Sequence, residues 1–162
     1  MAHCVYSTKE EIQLIKQQNV YIAHCPESNA NLSSGIAPVR TYLDNDMHIG
    51  LGSDVAGGSS LSIFRAMTLA IQCSKLRWRL KDPGLSPLTT EEVFWMGTAG
   101  GGSFFGKVGS FEKDYELDAL VLSDKHLGSD CCTTIKDRLE RFMYLGNTQD
   151  IIHKYTAGRL LW

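Results

Sequence analysis

The sequence predicts an α/β fold built on a parallel sheet, followed by a smaller strand-rich segment. Three observations lead there. Short apolar runs alternate with amphipathic stretches over residues 1–106, the pattern of repeated βα units. Three ionisable residues, His3, His24 and Asp54, stand at the ends of three successive apolar runs. From residue 107 onward the pattern changes to brief strands around one helix.

The elements follow in order. A strand is expected near residues 2–4, and it begins with only Met1 and Ala2 ahead of His3. A barrel strand has about five residues, so this start reads as the middle of a strand. Ser7 and Glu10 form S-x-x-E, a capping box for a helix carrying Ile12 and Ile15 and stopping at Asn19. Val20-Tyr21-Ile22-Ala23 suits a buried strand and ends in His24-Cys25-Pro26, before a polar loop. Pro38 fits the first turn of a second helix with Val39, Tyr42 and Leu43 on one face, and Asn45-Asp46 breaks it. A third strand is expected over 48–52, ending in Ser53-Asp54.

Gly57-Gly58 and Ser59-Ser60 introduce a longer helix whose apolar stripe is Leu61, Phe64, Met67 and Ile71. After a loop over 81–87, Thr89 and Glu92 cap another helix, which the cluster Gly100 to Gly102 closes. Strands are expected over 107–112 and 117–122, with a turn at Lys113-Asp114. A helix is expected over 137–145 and a hairpin around Ala157-Gly158. The expected division is residues 1–106 as barrel and 107–162 as a strand-rich segment.

Composition narrows the function classes. Lys plus Arg number 16 and Asp plus Glu 18, for a net charge of −2. That balance gives no reason to expect nucleic acid or an anionic membrane as partner. No apolar run approaches the roughly 18 residues of a membrane helix. The first residues have neither the basic region nor the apolar core of a secretion signal. The five cysteines, Cys4, Cys25, Cys73, Cys131 and Cys132, form no CxxC and are odd in number. They read as reduced thiols of a cytoplasmic protein.

Two nucleotide- and ester-type motifs fail on inspection. Gly50-Leu51-Gly52-Ser53-Asp54-Val55 would be a dinucleotide fingerprint, but its third glycine falls on Val55. Ser53 is not the centre of G-x-S-x-G, because Leu51 and Val55 flank it. The strand-end groups are the better candidates. In a parallel barrel the carboxyl ends of the strands form one active-site face, so His3, His24 and Asp54 would converge there. A lone His or Asp at a strand end is more often a cap or a hydrogen-bonded structural residue. Three in order shift the balance.

Several blocks then resemble a known family in order and spacing. They are His3-Cys4-Val5, His24-Cys25-Pro26-Glu27-Ser28-Asn29, Gly35-Ile36-Ala37-Pro38 and Leu51-Gly52-Ser53-Asp54. Together they resemble the amidohydrolase superfamily, in the branch holding guanine deaminases, chlorotriazine hydrolases and adenosylhomocysteine deaminases. Val55-Ala56-Gly57-Gly58 and Phe142-Met143-Tyr144-Leu145-Gly146 look like the guanine deaminase group in particular. Gly109-Ser110-Phe111-Glu112 and Leu117-Asp118-Ala119 are similar to the stretch that returns to a small β-sandwich.

The resemblance implies the C-terminal part of a TIM-like (β/α)8 metallo-dependent hydrolase barrel, plus returning strands of the sandwich. It implies one zinc ion, with Asp54 as ligand and proton shuttle. It makes His3 a non-ligand group that orients the attacking water and the substrate, and His24 a supporting residue behind them. Within that resemblance the H-x-H pair, the mid-barrel His ligand, the Glu three residues after it and the purine-binding side chains would all precede Met1. Zinc needs three or four protein ligands, so the chain by itself is expected to be an inactive fragment.

The implied partner is a small purine, and a homodimer of the full-length protein stays open. The implied reaction is guanine and water to xanthine and ammonia, in purine catabolism. The alternatives are another aminopurine, S-adenosylhomocysteine or a chlorotriazine as substrate. A non-catalytic truncated paralogue is the reading from a different class.

Overall fold

The computed structural model describes residues 1–128 and 134–162, and Cys131 and Cys132 lie outside the described residues. Helix α1 (Lys9–Gln17) starts on a capping box, but one residue later than S-x-x-E suggests. Thr8 is the cap and Glu11 its partner. Both pairs fit the pattern, and the later one seats Ile12 and Ile15 in the core.

Strand β1 (Ile22–His24) begins after the chain closes α1, where the Val20 N–H donates to the Ile15 carbonyl at 3.0 Å. The sheet takes over only from Ile22, two residues later than the apolar run suggests. Strand β2 (Ile49–Leu51) pairs with β1 in parallel, with Ile22 opposite Ile49 and His24 opposite Leu51. Ala2 adds a parallel bridge to Ala23 on the other side of β1. The predicted strand over 2–4 is therefore reduced to one residue. His3 and Cys4 both take left-handed backbone angles, φ +66° and +47°, and turn the chain away from the sheet.

The polar loop predicted after His24 is in part a helix, α2 (Pro26–Asn31), with Pro26 in its first turn. Helix α3 (Val39–Asp44) buries Val39 and Tyr42, and Asp46 at φ +52° ends the segment. Helix α4 (Ile63–Leu80) is capped by the Ser62 hydroxyl and buries Ala66, Met67, Ala70 and Ile71. Leu61, expected on its stripe, precedes the helix and is 75% exposed.

Helix α5 (Thr90–Trp95) has the predicted Thr89–Glu92 box and runs on into a π-turn, Met96–Gly100. The π-turn lays Gly101 against β2. A Cβ on Gly50 would stand 2.6 Å from the Gly101 Cα, so only glycine leaves room there. Ile49, Val93 and Met96 are wholly excluded from solvent in this layer. Each contributes about 1.5–3 kcal/mol of burial.

Strand β3 (Ala119–Leu122), helix α6 (Ile135–Leu145), strand β4 (Ile151–Thr156) and strand β5 (Arg159–Leu160) complete the chain. The three strands form an antiparallel sheet in the order β3-β4-β5, with β4 and β5 joined by the turn at Ala157 and Gly158. The strand predicted over 107–112 is absent. Gly106 and Gly109 sit at φ +111° and +83°, angles that break an extended run. Helix α6 packs on α4, where the Phe142 and Phe64 rings meet edge to face at 5.0 Å. Among the described residues, no helix is long and apolar enough to cross a membrane.

Candidate active site

The three parallel elements end on one side of the sheet, and two of the three predicted groups meet there. His3 Nε2 lies 3.7 Å from Asp54 Oδ2 across fifty-one residues of sequence, and both side chains are about two-fifths exposed. The approach comes from the strand ends. His3 N–H donates to Ala23 at 2.9 Å, and Gly52 N–H donates to His24 at 2.9 Å, which fixes the two flanks to β1. Asp54 itself sits at φ +47°. Left-handed angles at His3, Cys4 and Asp54 store strain at one rim, as functional sites often do.

His24 does not join the exposed pair. It is 3% exposed, on the buried side of the strand end, and its Nδ1 has no hydrogen-bond partner among the described residues. Burial first, and the charge of neighbouring His3 second, hold its pKa down to about 4. His24 is therefore neutral near pH 7.

A pH dependence follows with a definite sign. Between about pH 6.5 and about pH 4 the unfolded chain binds a proton at His24 and the folded chain does not. The contribution is complete above pH 6.5, and about 3 kcal/mol of stability is lost as pH falls through that window. Urea midpoints at pH 7 and 4.5 measure it. The same pH slope in His24→Asn would show that another group is responsible.

Two residues on α2 build the floor of the site, and periodicity gave no sign of either. Asn29, 2% exposed, has its Oδ1 2.8 Å from His3 Nδ1. Glu27 accepts from Ser59 Oγ at 2.5 Å and from Arg65 Nε at 3.0 Å. Burial would raise the Glu27 pKa, but these donors outweigh it and hold the carboxylate below its usual range. The clasp fastens the loop after Asp54 to the helix after His24. Asn31 adds a bond from Nδ2 to the Gly57 carbonyl at 2.8 Å. A Cβ on Gly57 would meet Ser28 Oγ at 2.7 Å and Asp54 Oδ2 at 2.9 Å, so the loop passes where a side chain would not fit.

The thiols nearby are not nucleophiles. Burial raises the Cys25 pKa, and the Asp54 charge raises it further. Burial likewise raises Cys4. Thiolate is the reactive form, so both are held inert at neutral pH. The available chemistry is that of an open carboxylate beside an imidazole, which can hold a cation and move protons. Among the described residues no three His, Cys, Asp or Glu side chains cluster tightly enough to hold a metal ion. Asp54 fits the part of one ligand, short of a complete centre.

A parallel βα sheet with polar groups at its strand ends is the arrangement of one part of an α/β barrel rim. The amidohydrolase family model matches residues 1–161, and the chain belongs to that family. It is 37% identical to guanine deaminase of Dictyostelium discoideum, over 98% of this chain and 36% of that protein. It superposes on guanine deaminase from C. acetobutylicum, solved with guanine in the active site, with a TM-score of 0.95 and 48% identity. That match covers all of this chain and 38% of the other. An adenosine deaminase from Xanthomonas campestris, solved with bound zinc, shares the fold at a TM-score of 0.83 and 22% identity, over 98% of this chain and 36% of that one. The chain thus spans little more than a third of the length of the relatives it matches.

Proposed function

We propose that this chain supplies the His3–Asp54 side of a zinc-dependent guanine deaminase site, and that the remaining metal ligands and purine contacts come from outside its 162 residues. The observation that carries the reading is the 3.7 Å approach of His3 to Asp54 at parallel strand ends. Similarity to guanine deaminases along the whole chain supports the choice of substrate. Residues 1–106 are read as barrel and 107–162 as the strand-rich segment. The reaction belongs to purine breakdown, in the cytoplasm.

In this reading water adds to the amino-bearing carbon of guanine, the C–N bond breaks, and ammonia leaves behind xanthine. Zinc, when bound, supplies the positive charge that makes a water acidic enough to attack near neutral pH. Asp54 would be one of the residues holding the metal, and its carboxylate would take a proton from the attacking water and pass one to the departing amine. His3, through Nε2, orients that water and the purine. His24, buried and neutral, keeps a second positive charge away from the pair.

Assays of the complete protein should show xanthine and ammonia formed from guanine, with S-adenosylhomocysteine and a chlorotriazine turned over far more slowly. Turnover of either of those without guanine turnover would replace the substrate assignment.

A further inference from the structure

We propose that Asn29 is the positioning residue of the site. Its side-chain carbonyl accepts the Nδ1 hydrogen of His3 and leaves Nε2 as a bare acceptor aimed at the space beside Asp54. The inference rests on the proposed function only for its activity readout.

Two distances on the same ring point to a hydrogen on Nδ1. Nδ1 to Asn29 Oδ1 is 2.8 Å, well inside hydrogen-bond range. Nε2 to Asp54 Oδ2 is 3.7 Å, beyond it. A hydrogen on Nε2 facing a carboxylate would form a charge-assisted bond, and such bonds close to about 2.7–2.9 Å. Reversing the Asn29 amide would put its NH2 against Nδ1 and demand that arrangement.

The main chain beneath Asn29 is held on both sides. Asn29 N–H donates to Cys25 at 3.0 Å, and its carbonyl accepts from Ser34 at 2.8 Å. The Glu27 clasp to Ser59 and Arg65 holds the same helix against the loop after Asp54. His3 stands on a left-handed backbone, and Asn29 is the hydrogen-bond partner of its ring among the described residues. Without it the imidazole is free to turn about its side-chain bonds and to exchange its hydrogen between the two nitrogens.

An Nε2 lone pair held in that direction accepts a hydrogen from a water or from a purine N–H. Asn29 Nδ2 and Ser28 Oγ, both buried and without hydrogen-bond partners among the described residues, flank the same floor. An amide kept there with one end unsatisfied is an amide retained for its other end.

The test uses the complete protein labelled with 15N at histidine, held at one pH near neutrality, together with Asn29→Ala and Asn29→Asp. Two-bond 1H–15N spectra should show His3 with hydrogen on Nδ1 in the parent and in Asn29→Asp, which keeps an acceptor oxygen. Asn29→Ala should show a mixture of tautomers. Its kcat should fall about 10–100-fold with KM within about threefold, and Asn29→Asp should recover at least part of that. A parent spectrum with hydrogen on Nε2 overturns the proposal and needs no variant to read. An unchanged ring spectrum in Asn29→Ala also overturns it. If guanine is not a substrate but the spectra behave as expected, the function is wrong and the positioning role stands.

Discussion

Asp54→Ala in the complete protein should end guanine turnover, with kcat down by about 10⁴-fold, and should strip the zinc as well. The size follows from a double loss. One substitution removes a metal ligand and the carboxylate that carries the proton to the leaving amine. His3→Ala should lower kcat about 100-fold and leave most of the zinc in place. Nδ1 of His3 is committed to Asn29, so only Nε2 faces the reacting groups. Metal content and kcat measured on the same purified variants separate the two roles. Zinc lost from His3→Ala and kept in Asp54→Ala would reverse the assignment.

The second large effect concerns the 162-residue chain on its own. Dialysed against zinc, it should retain far less than one ion per chain and turn over no guanine above background. One carboxylate beside an imidazole cannot assemble the three or four ligands that hold zinc firmly. Its surface points the same way. Phe105 and Phe111 are each 80% exposed, Ile135 is 83% exposed, and Phe104 is 63% exposed. Apolar surface of that extent favours association, so the isolated chain should elute larger than a monomer. A monomer with stoichiometric zinc and steady ammonia release would overturn this expectation.

The parallel βα order and the polar strand ends were legible in the sequence for a simple reason. Buried strands and amphipathic helices write themselves as apolar periodicity, and the chain has that over most of its first hundred residues. Helix α2 was not legible, because beyond Pro26 the residues it buries are Glu27, Ser28 and Asn29. A helix that turns polar groups inward leaves no apolar stripe to find. The Arg65–Glu27 pair joins residues thirty-eight apart, so no local pattern announces it. Leu61 misled in the opposite sense. It fits a helical stripe by spacing, yet Ser62 caps the helix one residue beyond it. For the His3–Asp54 pair, the partners were legible in the sequence, whereas their 3.7 Å distance and the Asn29 contact arise only in the folded chain.

The contact between Gly50 and Gly101 constrains how this protein can diverge. Main chain rests on main chain there, with no side chain in between to shorten, rotate or trade volume. Gly50 cannot accept even a methyl group as a first step, because its Cβ would fall 2.6 Å from the Gly101 main chain, which cannot move aside without re-seating the π-turn on β2. Compensating double changes, the usual route by which buried neighbours drift together, are closed at this pair. Relatives that keep the same strand–helix spacing should therefore show glycine fixed at the position of Gly50. A lineage that has lost it should have re-spaced the end of α5 relative to the strand.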